Sequence, residues 1–443
     1  MRRTLWLVGI LLFAGLLGLG VVRWQKGGGL FQAQTITLKD GAEITLTAVQ
    51  FGKRHMDPFA GPQEQFLARL PEALVDRLPL KTAARFGNPA NASNTFLSCC
   101  LAFPSNVVKG PAFAGAQQLG LWVTEVPRGQ TWKSHHSTGR TGVTSTGRSY
   151  EVHSFPIFPR RSEWLRVVVT DDPWSGKPLG EFRVRNPGWD PRSPVQTASP
   201  LPQPVIQDDL TFTLQSLQVL SNRGGGSSGE IDNWSARLEF TVETAGRPST
   251  NWASYHVARV LDATGNEGDG NSWNHGFKHG RTFVEFSQQP LPTADPWKME
   301  VEFCQRSGFA TNELWSLRGV PIQPGTTATA RTNRMSGTLV ELRSLDVDPR
   351  QYRAAGNPTN PDTVVLKLKA KPALDSRRWH LTIVRAWDDQ GRDVTDNSWS
   401  GSDDEREFRF QVAKDVKSMD FDLAYAPSRM VWFHAQPTVS TNR

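Results

Sequence analysis

The chain has 443 residues, 38% hydrophobic and 21% charged, a balance that argues against a disordered polymer and predicts about three domains at roughly 150 residues each. Its net charge of +7 comes from 50 basic and 43 acidic side chains interleaved along the sequence, so no Lys/Arg stripe tracks a phosphate backbone and no nucleic-acid partner is expected. The three cysteines, Cys99 beside Cys100 and Cys304 far away, form neither a disulfide framework nor a zinc spacing, and burial as small apolar side chains is the expectation.

Residues 1–29 open with Arg2 and Arg3, then an apolar run from Leu5 to Val22, then Arg23, Trp24, Gln25 and Lys26. At 1.5 Å per residue that run spans about 27 Å, the thickness of a bilayer's hydrocarbon core. No small-residue cleavage pattern comes after it, so an uncleaved transmembrane helix is predicted. The leading arginines place the N-terminus in the cytoplasm and the bulk of the chain in the periplasm or outside the cell. Gly27, Gly28 and Gly29 then form a tether.

A first β-rich unit is predicted over 30–187, opening with the alternation Ile36, Leu38, Ile44, Leu46. Within it, Phe66, Leu70, Leu74 and Leu78 recur at helical spacing over Gln63–Leu78, with Pro71 as an interruption. A proline-dense linker covers 188–206, a second unit 207–320, a further linker 321–336 and a third unit 337–438. The second unit alternates at Leu210, Phe212, Leu214 and again at Leu238, Phe240, Val242; the third carries Leu339, Leu342, Leu345 and then Val364, Leu366, Leu368. Period-2 patterning between Gly, Pro, Asn and Asp turns predicts an all-β fold of tandem antiparallel β-sandwich modules behind the N-terminal helix.

The second and third units share a motif. Arg259, Asp262, Gly265, Asn271, Ser272 and Trp273 recur at the same spacing as Arg385, Asp388, Gly391, Asn397, Ser398 and Trp399. Phe286 and Trp297 then match Phe410 and Phe421, and Pro159 with Trp164 gives a fainter copy in the first unit. An Asp three residues before a Gly fits a turn in which the carboxylate bonds backbone amides and the Gly takes positive φ. The two Trp residues are expected to cover one end of each sandwich. An apolar strand, an Asp-x-x-Gly turn and a later Phe-rich strand resemble immunoglobulin-like extracellular modules, although the Cys…Trp…Cys core of immunoglobulin domains is absent.

Other candidates for chemistry are weak. His275 and His279, with Glu267 and Asp269 nearby, have metal-like spacing but enclose Gly276, Phe277 and Lys278, a poor helical setting. Gly225-Gly226-Ser227-Ser228-Gly229 has the G-x-S-x-G order without the helix a nucleophile elbow needs. The acidic groups around Asp262, around Asp388, Asp389, Asp393 and Asp396, and at Asp403, Asp404 and Glu405 lack calcium-loop order. Trp132, Trp174 and Trp189 lie where indoles could stack on sugars, whereas Trp164 and Trp297 are expected in cores. No catalytic, cofactor-binding or metal-ligating residue is assigned. The expectation is a membrane-anchored, non-enzymatic adhesion, scaffolding or envelope-assembly protein with an envelope protein or glycan as partner. The alternatives are an extracytoplasmic carbohydrate-binding module and a metal-dependent envelope hydrolase built on His275 and His279.

Overall fold

A computed structural model describes residues 32–52, 95–104, 119–125, 137–144, 146–171, 177–222, 233–268, 270, 272–278, 280–287, 290, 295–322, 331–347, 362–371, 379–395, 397–401, 405–413 and 415–440. The apolar run 5–22, the helical stretch Gln63–Leu78 and the loop Gly225–Gly229 lie outside them. Among the described residues no helix is long and apolar enough to cross a membrane. They form an almost wholly β chain of antiparallel sheets, with a single 3-10 turn at Thr311–Glu313 described.

The first unit contains β1 (Gln34–Thr37), β2 (Glu43–Gly52), β3 (Phe96–Phe103), β4 (Gly120–Glu125), β5 (Ser137–Val143), β6 (Ser149–Phe155), β7 (Trp164–Thr170) and β8 (Pro178–Arg185). One sheet runs β1-β2-β3-β6-β5 and the other β4-β7-β8. Alternate side chains of both, among them Ile44, Leu46, Leu97, Leu101, Leu121, Val167 and Phe182, fill the space between them. Cys99 and Cys100 are buried and unbridged, as small apolar side chains would be.

The second unit begins with β9 (Gln203–Gln207), β10 (Leu210–Asn222), β11 (Asn233–Thr244) and the short β12 (Arg247–Pro248). It continues with β13 (Trp252–Leu261), β14 (Glu267–Gly268), β15 (Ser272–Lys278), β16 (Arg281–Phe286) and β17 (Trp297–Gln305). The third holds β18 (Leu314–Pro321), β19 (Arg331–Met335), β20 (Thr338–Val347), β21 (Asp362–Lys371), β22 (Trp379–Asp388), β23 (Asn397–Gly401) and β24 (Glu405–Val412). The long β25 (Ser418–Ala435) and β26 (Thr438–Ser440) end the described chain.

The three units repeat one plan. The first sheet reads β1-β2-β3-β6-β5 in the first unit, β9-β10-β11-β16-β15 in the second and β19-β20-β21-β24-β23 in the third. A bulge interrupts the same pairing each time, between Leu46 and Ala48, Leu214 and Ser216, and Leu342 and Ser344. A further bulge precedes Arg259 and, 126 positions later, Arg385. Such bulges twist a strand at a fixed place, so the shared positions mark a shared backbone.

The second sheets show one departure. In the first unit β7 folds back on β8 as a hairpin. In the second, β17 does not pair with β18, the next strand in the chain. Instead β18 crosses to the third unit and pairs with the first half of β25, Leu314 opposite Ala424 and Pro321 opposite Ser418. The second half of β25 returns to the second unit and pairs with β17, Trp297 opposite Ala435 and Cys304 opposite Ser428. The two units have therefore traded their last strands. The division at 320 and 337 places all of β25 in the third unit; its 18 residues in fact serve both sheets, because one extended strand can turn successive stretches to different partners.

The returning half inserts Val431, Phe433 and Ala435 into the second core, where Phe433 meets Phe240 and Phe303 at ring-centroid distances of 5.2 and 6.3 Å. Its outer side is covered by Gln203, which accepts a bond from His434 N–H, by Gln207, which donates to Met430 O, and by Ser199 N–H, which donates to His434 O. These contacts occupy backbone groups of an edge that would otherwise be open to pairing. β26 then lies parallel to β10.

Trp297 is fully buried, but Trp164 is 38% exposed and carries the Arg183 guanidinium 4.9 Å over its ring. The expectation of a core position for Trp164 is therefore corrected. It is the first residue of β7, opposite Arg185, and points outward where its neighbour Leu165 points in.

Candidate functional site

The repeated turn is built alike in its two copies. Gly265 N–H donates to Asp262 O and Gly391 N–H to Asp388 O, with φ of +88° and +78° at the glycines. Asp262 Oδ1 accepts from Thr264 N–H and Asn266 N–H, and Asp388 Oδ1 from Gln390 N–H and Arg392 N–H. The Asn-Ser-Trp segments fall at β15 and β23: Ser272 opens β15, and Asn397 pairs opposite Phe410 in β23. Asn271 and the side chains of Trp273, Asn397 and Trp399 are outside the described residues.

The copies differ at the residue after the Gly. Asn266 is buried, and its amide accepts from Phe158 N–H at 3.1 Å and Arg160 Nε at 2.9 Å while donating to Phe158 O at 3.0 Å. Arg160, stacked on Phe51 and Phe158, reaches back to Thr95 O. Burial pulls its guanidinium down to about 10 despite the charges of Asp262 and Glu267. Arg161 adds an ion pair to Asp295. The second unit's turn is thus the joint to the first unit. The third unit has Arg392 at the equivalent position, where it pairs with Asp388 and Asp415 near solvent.

Asn266→Ala should cost about 2 to 4 kcal/mol in chemical unfolding, because it strands the Phe158 backbone donor and acceptor away from water. Arg392→Ala should cost less, because its side chain is half-exposed and the Arg392 and Gln390 backbone N–H groups still bond Asp388. Equal effects would remove the distinction. A second expectation concerns acid. Burial raises the Asp388 carboxyl, but bonds from Arg392 and Gln390 outweigh it and hold the group below the usual carboxylate range. A depressed folded-state value contributes stability that is complete above the unfolded value of about 3.9 and lost as pH falls through the folded one. The stability gap between the native chain and Asp388→Asn should therefore shrink below about pH 4; a gap independent of pH would contradict this.

Where the second and third units cross, a separate cluster of reactive side chains meets. Glu302 lies on β17, 1% exposed, between the core residues Val301 and Phe303. Its carboxylate meets His380 Nε2 of β22, from the third unit, and accepts from Ser428 Oγ at 2.6 Å, at the point where β25 passes between sheets. Cys304 Sγ stands 3.7 Å from the same oxygen. His256 Nδ1, on β13, is 2.6 Å from Oε2. Tyr255 packs at 5.3 Å from both the His275 and His380 rings.

Burial would raise the Glu302 carboxyl, but the close His256 and His380 outweigh it and hold it at about 2, so the group is ionised. Burial first, then the Glu302 charge, push the Cys304 thiol well above its ordinary value. So arranged, the site holds one carboxylate and a protonated thiol, which makes Cys304 a poor nucleophile. Glu302, Cys304 and His380 each offer one ligand atom, and these three atoms lie within 4.8 Å of one another.

Sequence reasoning missed this site because its members are remote in the chain. The available signal was a carboxylate and a thiol two residues apart, interleaved with the apolar Val301 and Phe303. Among the described residues weighed for an enzyme, His275 and Glu267 lie apart. His275 is exposed beside Tyr255 near the start of β13, while Glu267 pairs with Arg259 and lies opposite Leu261 at the end of β13. Six strand steps separate those ends, about 20 Å. Asp269 and His279 lie outside the described residues, as do Trp132, Trp174, Asp396, Asp403 and Asp404. Trp189 is half-buried.

The fold and site together define an all-β protein of antiparallel sandwiches with a polar cluster around one buried carboxylate at a strand crossing. No family model and no curated protein matches the chain. Among solved structures, a three-immunoglobulin fragment of titin (domains I67–I69, a Glu-to-Ala variant) is similar at 5% identity and a TM-score of 0.11, over 78% of this chain and 92% of that one. The I67–I69 fragment from the titin I-band gives the same values. At that overlap neither carries an argument.

Proposed function

We propose that this chain is a membrane-anchored, extracytoplasmic scaffolding protein, non-enzymatic, in which three immunoglobulin-like sandwiches form a stiff spacer. In this proposal residues 5–22 are the anchor, and an envelope protein or glycan is what the spacer holds. The second and third units descend from a duplication of one module. The observation that carries the proposal is β25, whose two halves belong to different sheets, so that one sandwich cannot swing on the other without breaking strand pairing. A flexible two-domain enzyme has no use for such a joint, whereas a spacer that sets a distance does.

Protease added to intact cells, or to spheroplasts where an outer membrane is present, tests both halves. Expected is loss of the full-length chain and survival of a fragment containing residues 203–440 as one body, nicked or not. A chain fully protected while cytoplasmic markers stay inside would refute the location. Second and third units that separate after a nick would refute the spacer.

A further inference from the structure

We propose that Glu302, Cys304 and His380, with His256 as the fourth ligand, form a binding site for a zinc-type divalent cation that fastens the second and third units at their strand crossing. Four observations converge on it. The ligand atoms of the first three residues already lie within 4.8 Å of one another, a spacing from which small side-chain shifts reach a tetrahedral shell. The donor set is one thiol, two imidazoles and one carboxylate, which suits zinc and its neighbours; calcium and magnesium need more oxygens than this site offers. His256 Nδ1 is a buried atom 2.6 Å from Glu302 Oε2, so a fourth nitrogen donor stands at the same carboxylate. Charge also balances: thiolate and carboxylate together neutralise a dication in a site where Glu302 and Cys304 are 1% and 7% exposed.

The protons balance as well. Binding converts the Cys304 thiol to a thiolate and releases one proton to solvent, while both histidines bind as neutral imidazoles and Glu302 is already ionised. Ser428 Oγ, a donor to Glu302, remains outside the shell and orients the carboxylate, the usual task of a hydrogen bond behind a ligand. The site draws its ligands from β13, β17 and β22, so it is complete only when the two units are joined. It departs from the sequence-based expectation of no metal, because strand pairing assembles what residue spacing does not display. It goes beyond the scaffold proposal, since cation binding can be present or absent whatever the spacer holds.

The test uses the full-length chain, stripped with chelator and titrated with Co2+ alone. Expected is one Co2+ per chain, tetrahedral visible absorption, and a near-ultraviolet thiolate-to-cobalt charge-transfer band that Zn2+ then abolishes by displacement. Cys304→Ser should lose the charge-transfer band and His380→Ala the tetrahedral absorption, while His275→Ala/His279→Ala keeps both. Absence of the charge-transfer band in the folded native chain overturns the proposal without recourse to any variant. So does a band that survives Cys304→Ser, which would place the thiolate at Cys99 or Cys100.

Discussion

A chain cut after Pro427 should lose its second sandwich, although the residues removed lie far beyond that sandwich in sequence. The strand lost, Ser428–Ala435, pairs with β17 and supplies Val431, Phe433 and Ala435 to a core whose other members come from Leu210–Phe303. Burying a Val and a Phe is worth about 1.5 to 3 kcal/mol each, before counting the exposed edge of β17. A loss of about 3 to 6 kcal/mol, with the exposed edge added, is a large share of a typical domain stability of about 5 to 15 kcal/mol. Amide exchange separates the units: β10, β11 and β17 should lose protection, while β20, β21 and β24, whose sheet is intact, should keep it. A peptide of residues 426–443 added in trans should restore protection by refilling the groove. Phe433→Ala gives the graded version, about 3 to 5 kcal/mol, because Phe240 and Phe303 would face a cavity. Retained protection in β11 after truncation would show that β18 can fold back on β17, as β8 does on β7, and that the exchange is optional.

That outcome rests on a feature the sequence displays only in part. The alternations Leu210–Leu214 and Val364–Leu368 are enough to place strands, since every second side chain must leave water. The Asp-x-x-Gly spacing of Asp262 and Asp388 is enough to place turns, since a short acidic side chain before a positive-φ Gly satisfies those amides. Pairing partners are another matter. β18 and the second half of β25 carry the same kind of pattern, and nothing in either says which sheet edge it will join; that depends on the length of the connection and on which groove is nearer. The crossing residues 306–313 of one unit have no counterpart inside β25, where Ala426, Pro427 and Ser428 pass straight through. Trp164 shows the same limit at one residue: its separation from Pro159 equals that of Trp297 from Pro292, but one indole points out and the other in. The Glu302 cluster was hidden for the same reason, since His256, Glu302, His380 and Ser428 meet only after strands from two units are in register.

Glu302→Ala, measured in chelator so that no cation contributes, should destabilise the paired units by about 3 to 5 kcal/mol, the usual cost of breaking a buried ion pair by removing one side. The carboxylate is what His380, His256 and Ser428 are turned toward, and without it the buried His380 imidazole and Ser428 hydroxyl lose their shared partner, while the half-exposed His256 can turn to water. Because His380 belongs to the third unit and Glu302 to the second, the effect should couple across the crossing. A double-mutant cycle of Glu302→Ala with His380→Ala should return an interaction of about 0.5 to 3 kcal/mol, whereas additive effects would mean that the two side chains merely lie close. Replacing the set together, Glu302→Leu with His256→Leu and His380→Leu, separates stability from function. Apolar substitution of a buried ionic pair is often neutral or stabilising, and the half-exposed His256 adds little cost, so this triple variant should regain most of what Glu302→Ala loses. If it does, the cluster is not needed to hold the strands together, and a chain that keeps a carboxylate, a thiol and two imidazoles at the joint keeps them for what they bind. A triple variant as unstable as Glu302→Ala would instead make the cluster part of the fold itself.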